Sequence, residues 1–207
     1  MAFDFKKAQK ELYFPKDTPS FIHVPPMQYI AMDGQGDPNT PGGAYQQAIA
    51  ILYAVSYTLR MSYRTERKIE GYFQYVVPPL EGFWQKDPSA PEDKNRFTWT
   101  ALLRLPDFIR KEDLDWAKEV AADKKKLDSS AARLLFISEG FCVQVMHRGS
   151  YDEEPATVEA LTQFASGHGC VIDLKESRPH HEIYLSDPRK TEIAQRKTVI
   201  RLPVRPI

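Results

Sequence analysis

Cysteine is nearly missing from this chain. Cys142 and Cys170 are the only two among 207 residues, too few for a disulfide-stapled scaffold and suited to a reducing compartment. Excess charge of one sign is also missing. The 28 basic and 28 acidic residues cancel, which removes long-range attraction to nucleic acid or an acidic membrane. No apolar run approaches membrane-spanning length, and the opening Met1-Ala2-Phe3-Asp4-Phe5-Lys6-Lys7 lacks the apolar core of a signal peptide. The expectation is a cytoplasmic protein with neither a nucleic-acid nor a membrane partner. Metal and cofactor motifs are absent too. His180 and His181 are adjacent on a strand pattern and point to opposite faces, while His147, His168 and Cys170 lack ligand spacing. Gly34-Gln35-Gly36 and Gly42-Gly43 complete no dinucleotide fingerprint and read as turn glycines. No metal and no cofactor are therefore expected, and no motif supports a catalytic serine triad.

What the chain does have is apolar and aromatic side chains, 42% and 12% of its residues, enough to bury a core as one domain or as two small units fused across one sheet. Its most informative stretch is His180-His181-Glu182-Ile183-Tyr184-Leu185-Ser186-Asp187-Pro188, a strand pattern closed by a turn signal. Alternation puts His180, Glu182 and Tyr184 on one face and His181, Ile183 and Leu185 on the other. Ile183 and Leu185 suit a face packed on helices. Glu182 and Tyr184 then require a wet groove, a cationic ligand or a hydrogen-bonding network, because an unpaired buried carboxylate is strongly disfavoured.

Internal repetition organises the rest. Arg104-Leu105-Pro106 and Arg201-Leu202-Pro203 each close a strand pattern, over 97–103 and 197–200, and the elements upstream follow in the same order. Strands at 27–34 and 141–147 each lead through a glycine turn into a helix entered at a proline, near Thr40-Pro41 and Glu154-Pro155. The first helix is expected over 43–64, with Ala44, Ala48, Leu52, Val55 and Leu59 as an apolar stripe; the second covers 156–167, with Val158, Leu161 and Ala165. Two strands follow each helix, at 72–77 and 97–103 in the first half and at 180–185 and 197–202 in the second. A charged amphipathic helix over 111–125 connects the halves and ends in Lys124-Lys125-Lys126, a solvated helix end.

These patterns predict an α+β fold: two β-α-β-β repeats forming one curved antiparallel sheet, with helices on the outer face and a central ligand groove on the face they leave uncovered. Residues 1–18 form an N-terminal extension, repeat one spans about 19–106, the connector about 107–130 and repeat two about 131–207.

Glu182-Ile183-Tyr184-Leu185-Ser186-Asp187-Pro188, the closing Arg201-Leu202-Pro203-Val204, and the run from Met146 through Gly149-Ser150-Tyr151 to Glu154-Pro155-Ala156-Thr157 together resemble the GyrI-like small-molecule-binding domain. Val77-Pro78-Pro79-Leu80-Glu81-Gly82-Phe83-Trp84 and Phe97-Thr98-Trp99-Thr100 resemble its stand-alone subgroup, which is similar to enzymes that hydrolyse the cyclopropane ring of DNA-alkylating natural products and so detoxify them. The resemblance covers the chain from about Phe21 onward. It implies a barrel-like paired-repeat fold and a partner that is a bulky, flat, apolar or cationic small molecule. The family's acidic residue falls on Glu182, assisted by Tyr184, with Trp84, Trp99, Tyr53, Tyr57 and Phe141 as ligand-binding aromatics. The chain differs from the regulator members in having no helix-turn-helix domain before the effector fold.

Three functions follow as expectations: a hydrolase that opens cyclopropanes with water, a non-catalytic drug-binding or sequestering protein, and a gyrase-interacting module. Balanced charge gives the third little support. Each residue also has a plainer reading, Glu182 as a structural carboxylate, Trp84 and Trp99 as core aromatics, and Tyr53 and Tyr57 as packing residues four apart on one helix face. Trp116 belongs to packing of the connector helix.

Overall fold

A computed structural model describes residues 2–207 apart from 88 and 91, so Met1 of the N-terminal extension lies outside the described residues. Short helices α1 (Phe5–Ala8) and α2 (Lys10–Tyr13) precede β1 (Ser20–Val24) and β2 (Met27–Gln35). Then come α3 (Ala44–Arg60), β3 (Leu80–Gln85), β4 (Thr98–Leu105) and α4 (Lys111–Lys125). The second half runs β5 (Arg133–Ile137), β6 (Gly140–Arg148), α5 (Glu154–Gly167), β7 (Cys170–Ile172), β8 (His180–Tyr184) and β9 (Lys197–Pro206).

All strands pair antiparallel in the order β1-β6-β9-β8-β3-β4-β2-β5, with β7 on the far end of β9. The order is a palindrome about the β3–β8 junction, so the two halves are related by an internal two-fold. Each half contains β-β-α-β-β, one strand more than the sequence pattern suggests, and the second half adds the short β7 between α5 and β8. The additional arms β1 and β5 are exchanged: β1 runs into β2 but pairs with β6, and β5 runs into β6 but pairs with β2. Both arms have five residues and little burial contrast, so period-two patterning does not announce them. The sheet is curved and open, with β1 and β5 as its edges, and is not closed into a barrel.

One expected strand is not there. Residues 72–77 make only an isolated bridge, Phe3 to Tyr75, and the strand beside β4 is Leu80–Gln85. Pro78 and Pro79 donate no backbone N–H, so a ladder can begin only after them. The apolar residues before them, chiefly the buried Tyr75, strap across the sheet instead.

The helix face of the sheet carries two cores. Ile30, Trp99, Ala101 and Leu103 meet Ala48, Leu52, Val55 and Leu59 of α3 and Leu114 and Ala117 of α4; Val143, Val145, Ile200 and Leu202 meet Leu161 and Ala165 of α5. The opposite face is not bare, as the sequence pattern suggested. Phe5, Leu12, Tyr13 and Tyr75 cover it, packed on Tyr29, Leu102, Phe83, Ile183 and Val199. Burial on both sides explains why β2 is buried over six consecutive residues rather than alternating.

The repeated Arg-Leu-Pro tripeptides fasten this cover. Arg201 donates to Leu12 O at 2.7 Å, to Gln144 Oε1 at 3.0 Å and to Glu139 Oε2 at 3.1 Å. Its counterpart Arg104 lies 4.5 Å over the Phe5 ring and bonds Gln9 and Tyr13. Beside Arg201, buried His181 bridges Glu81 Oε2 at 2.8 Å and Glu139 Oε1 at 3.0 Å. Burial alone would lower the His181 pKa, but the Glu139 charge and hydrogen bond, with Glu81 adding, raise it to about 9. Glu139 in turn is held at about 2: burial pushes it up, and the His181 and Arg201 charges outweigh that.

Candidate functional site

With the far face covered, the groove opens on the helix face, where α3 and α5 stand apart over the β3–β8 junction. It encloses about 1680 Å³, more than the roughly 300–1,000 Å³ of a typical ligand pocket. Tyr45, Ile49, Tyr53 and Tyr57 of α3 form one wall, Glu154 and Val158 of α5 the other, and Trp84, His180, Glu182 and Tyr184 the floor.

Pairing register explains why the floor is acidic on one side only. Leu80 faces Leu103, the residue before Arg104, whereas Glu182 faces Ile200, the residue before Arg201. Leu80 is therefore the two-fold counterpart of Glu182, and Gly82 that of Tyr184. Gly82 also sits directly opposite Glu182 across the β3–β8 ladder. A Cβ there would lie 2.7 Å from Trp84 Nε1 and 3.1 Å from the Tyr184 hydroxyl, so the glycine makes room for those two groups to meet.

A directed chain of hydrogen bonds results. Trp84 Nε1 donates to the Tyr184 hydroxyl at 2.7 Å, and Tyr184 donates to Glu182 Oε2 at 2.7 Å. Burial, then the Glu182 charge, drives the Tyr184 pKa well above its ordinary value, so it stays a donor. His180 Nε2 lies 3.2 Å from Glu182 Oε1 but without hydrogen-bond alignment. The buried Tyr45 hydroxyl, also raised by burial, has no aligned partner.

Against Glu182 stands a second carboxyl, Glu154, from the first turn of α5. Its Oε1 is buried with no donor of its own. Burial, then the charge of Glu182 and a hydrogen bond to it, pushes the Glu154 pKa up to about 10. Two carboxyls lining one sheltered groove disfavour each other's charged form, and here burial and the Glu182 charge favour the protonated form of Glu154. Among the described residues neither carboxyl has a Lys or Arg ion pair.

Of the residues singled out from sequence, Glu182, Tyr184, Trp84, Tyr53 and Tyr57 come together here. Trp99 and Phe141 do not line the groove. Trp99, 4% exposed, lies over Gly34 and supports Tyr45 edge-on at 5.0 Å from beneath. Phe141 packs on Phe21 at 5.0 Å, on the outer part of the α5 side. Sequence reasoning missed Glu154, Tyr45 and Gly82. Glu154 before a proline reads as an ordinary helix-start acid, whereas a glycine inside a strand pattern is a usable sign of close approach. Among the described residues no cluster of His, Cys, Asp and Glu could hold a metal ion, and no helix is long and apolar enough to cross a membrane.

Known proteins share this fold. A hydrolase from Listeria innocua is 46% identical with a TM-score of 0.90, covering 98% of this chain and 100% of its own. A conserved protein from the same organism matches with the same identity, TM-score and coverage. The C-terminal domain of EcmrR, 14% identical over 92% of this chain and 98% of its own with a TM-score of 0.59, shares the fold alone. No curated protein matches the chain. Residues 17–205 match the GyrI-like small molecule binding domain, and with that span the chain belongs to this family, a small-molecule-binding domain whose groove lies between α3 and α5.

Proposed function

We propose that the groove takes bulky, flat, apolar or cationic small molecules and hydrolyses a strained cyclopropane conjugated to a carbonyl, a detoxifying reaction. The observation that carries this reading is a carboxylate anchored by a phenol on the floor of an open aromatic groove. A 46% identical Listeria innocua protein named a hydrolase supports it, as does the motif resemblance.

The chemistry needs little machinery. Water attacks the ring methylene, a C–O bond forms, the strained C–C bond breaks, and its electron pair moves through the conjugated system to the carbonyl oxygen. That oxygen takes up a proton while the attacking water loses one, so the net change is addition of one water. Glu182 accepts the proton from water, a role worth about 10²–10⁴-fold. Tyr184 holds Glu182 Oε2 and leaves Oε1, 3.2 Å from His180 Nε2, without an aligned hydrogen bond. Tyr53, which lines the α3 wall, would donate to the carbonyl oxygen, and Trp84 with Tyr57 would supply ring faces, each aromatic pair adding roughly 0.5–1.5 kcal/mol beyond burial.

Incubation of the protein with a cyclopropane-bearing dienone, followed by mass spectrometry for the water adduct, tests the proposal. Turnover is expected to drop at least 100-fold in Glu182→Gln. Undiminished turnover in that variant refutes the mechanism. Stoichiometric capture of unchanged compound would make the protein a sequestering one.

A further inference from the structure

The two adjacent histidines of β8 have opposite surroundings. His181, on the covered face, is clamped between Glu81 at 2.8 Å and Glu139 at 3.0 Å. His180 shares the groove face with Glu182, two residues on, and stands opposite Trp84 in the β3–β8 ladder. Strand β8 is paired on both sides, with β3 and β9, and the His181 clamp pins it further, so this face is held in place. The His180 ring nitrogen Nε2 is buried and has no hydrogen-bond partner among the described residues. At 3.2 Å from it lies Glu182 Oε1, the carboxylate oxygen that Tyr184 does not hold. Two polar atoms this close, each short of a partner and not aimed at one another, are satisfied together by a third atom. One water oxygen at about 2.8 Å from each meets both. The two side chains are only 20% and 9% exposed, so a water between them is set apart from bulk solvent.

We propose that His180 and Glu182 together seat the attacking water, His180 donating from Nε2 to the water oxygen while Glu182 Oε1 accepts one of its protons. The proposal rests on the reading of this groove as a ring-opening hydrolase and adds the residue that aims the nucleophile. A carboxylate alone leaves a water free to turn about one hydrogen bond. The second contact fixes the remaining lone pair, and misplacing a reacting atom by about 1 Å costs as much as roughly 100-fold in rate. That lone pair forms the C–O bond to the ring methylene while the strained C–C bond breaks toward the carbonyl. One water proton passes to Glu182, the other stays on the new hydroxyl, and the carbonyl oxygen takes up a proton. An alcohol bound in the same way carries a carbon in the last free direction, which a seat this enclosed crowds. His180 therefore selects water as well as orienting it.

Ring opening of a cyclopropane-bearing dienone by the full chain, in buffer with a fixed small share of methanol, tests this by mass spectrometry of the water and methanol adducts. The wild type should give a lower ratio of methanol to water adduct than uncatalysed solvolysis in the same mixture. In His180→Ala, kcat should fall about 10- to 100-fold with KM within about twofold, and the share of methanol adduct should rise. His180→Gln, whose amide N–H reaches toward the place of the imidazole Nε2–H, should recover part of both. An unchanged kcat in His180→Ala, a loss confined to KM, or a methanol share that does not move overturns the proposal and leaves the hydrolase reading standing. So does a wild-type adduct ratio equal to the uncatalysed one, a readout that needs no variant to fold. Absence of ring opening by the wild type overturns both.

Discussion

Replacing Glu154 by glutamine should stabilise the protein, and by an amount that grows with pH. Folding raises this carboxyl from its ordinary 4.5 to about 10, so the native state holds a proton that the unfolded chain releases. Between those two values the unfolded chain is favoured progressively as pH rises. One proton corresponds to at most about 1.4 kcal/mol per pH unit, so roughly three units, from about pH 5 to pH 8, give an upper bound of about 4 kcal/mol. Glu154 keeps part of its side chain in water, and screening reduces the expected figure to roughly 1–2 kcal/mol. Glutamine has nearly the same shape and no proton to lose, so its advantage should be small at acid pH and open steadily above it. His181 titrates in both proteins alike and cancels in the difference. Urea unfolding followed by tryptophan fluorescence at several pH values measures that difference directly. A gap between variant and wild type that stays constant across pH, or narrows as pH rises, would refute the raised Glu154 pKa.

Gly82→Ala should displace the Trp84 indole from the Tyr184 hydroxyl, because the new methyl falls 2.7 Å from Trp84 Nε1. Denaturant unfolding should show a loss of about 1–3 kcal/mol, and ligand titration a weaker groove. His181→Phe leaves Glu81 and Glu139 buried beside each other without their bridge, which should cost about 3–5 kcal/mol. The His181 contribution should be fully present below about pH 6.5 and disappear as pH rises through about 9, so unfolding curves of wild type and variant should converge at high pH. Trp84→Ala and Trp99→Phe should separate groove floor from core. The first should weaken ligand binding about tenfold or more, while the second should lower the unfolding midpoint and leave the ligand titration curve in place.

The parts of the fold that were legible in the sequence are those where one residue type has one structural use. Proline-started helices, apolar stripes at i+3 and i+4, and the twin Arg-Leu-Pro closures placed α3, α4, α5, β4 and β9. Strand β3 was misplaced because Tyr72, Tyr75 and Val77 look like a strand locally. Their apolar surface is instead spent on a strap, a tertiary outcome that no short window encodes. The same holds for the N-terminal residues Phe5, Leu12 and Tyr13, whose short helices have no periodicity to read and yet cover a whole sheet face.

That cover decides where the groove can be. Arg104 and Arg201 occupy equivalent positions in the two halves, and both bind the N-terminal segment, so the two-fold is kept on that face and its apolar surface is consumed. On the other face the two-fold is broken. Leu80 and Gly82 stand where the second half has Glu182 and Tyr184, and α5 begins with Glu154 where α3 begins with Ala44. A symmetric pair of acidic sites would place four carboxyls around one axis and force most of them to be protonated. Clearing one half to leucine and glycine removes that repulsion and opens the space in which Trp84 meets Tyr184. It also leaves Glu154 and Glu182 on one side only, an asymmetric acidic patch against which a small molecule between α3 and α5 can be oriented.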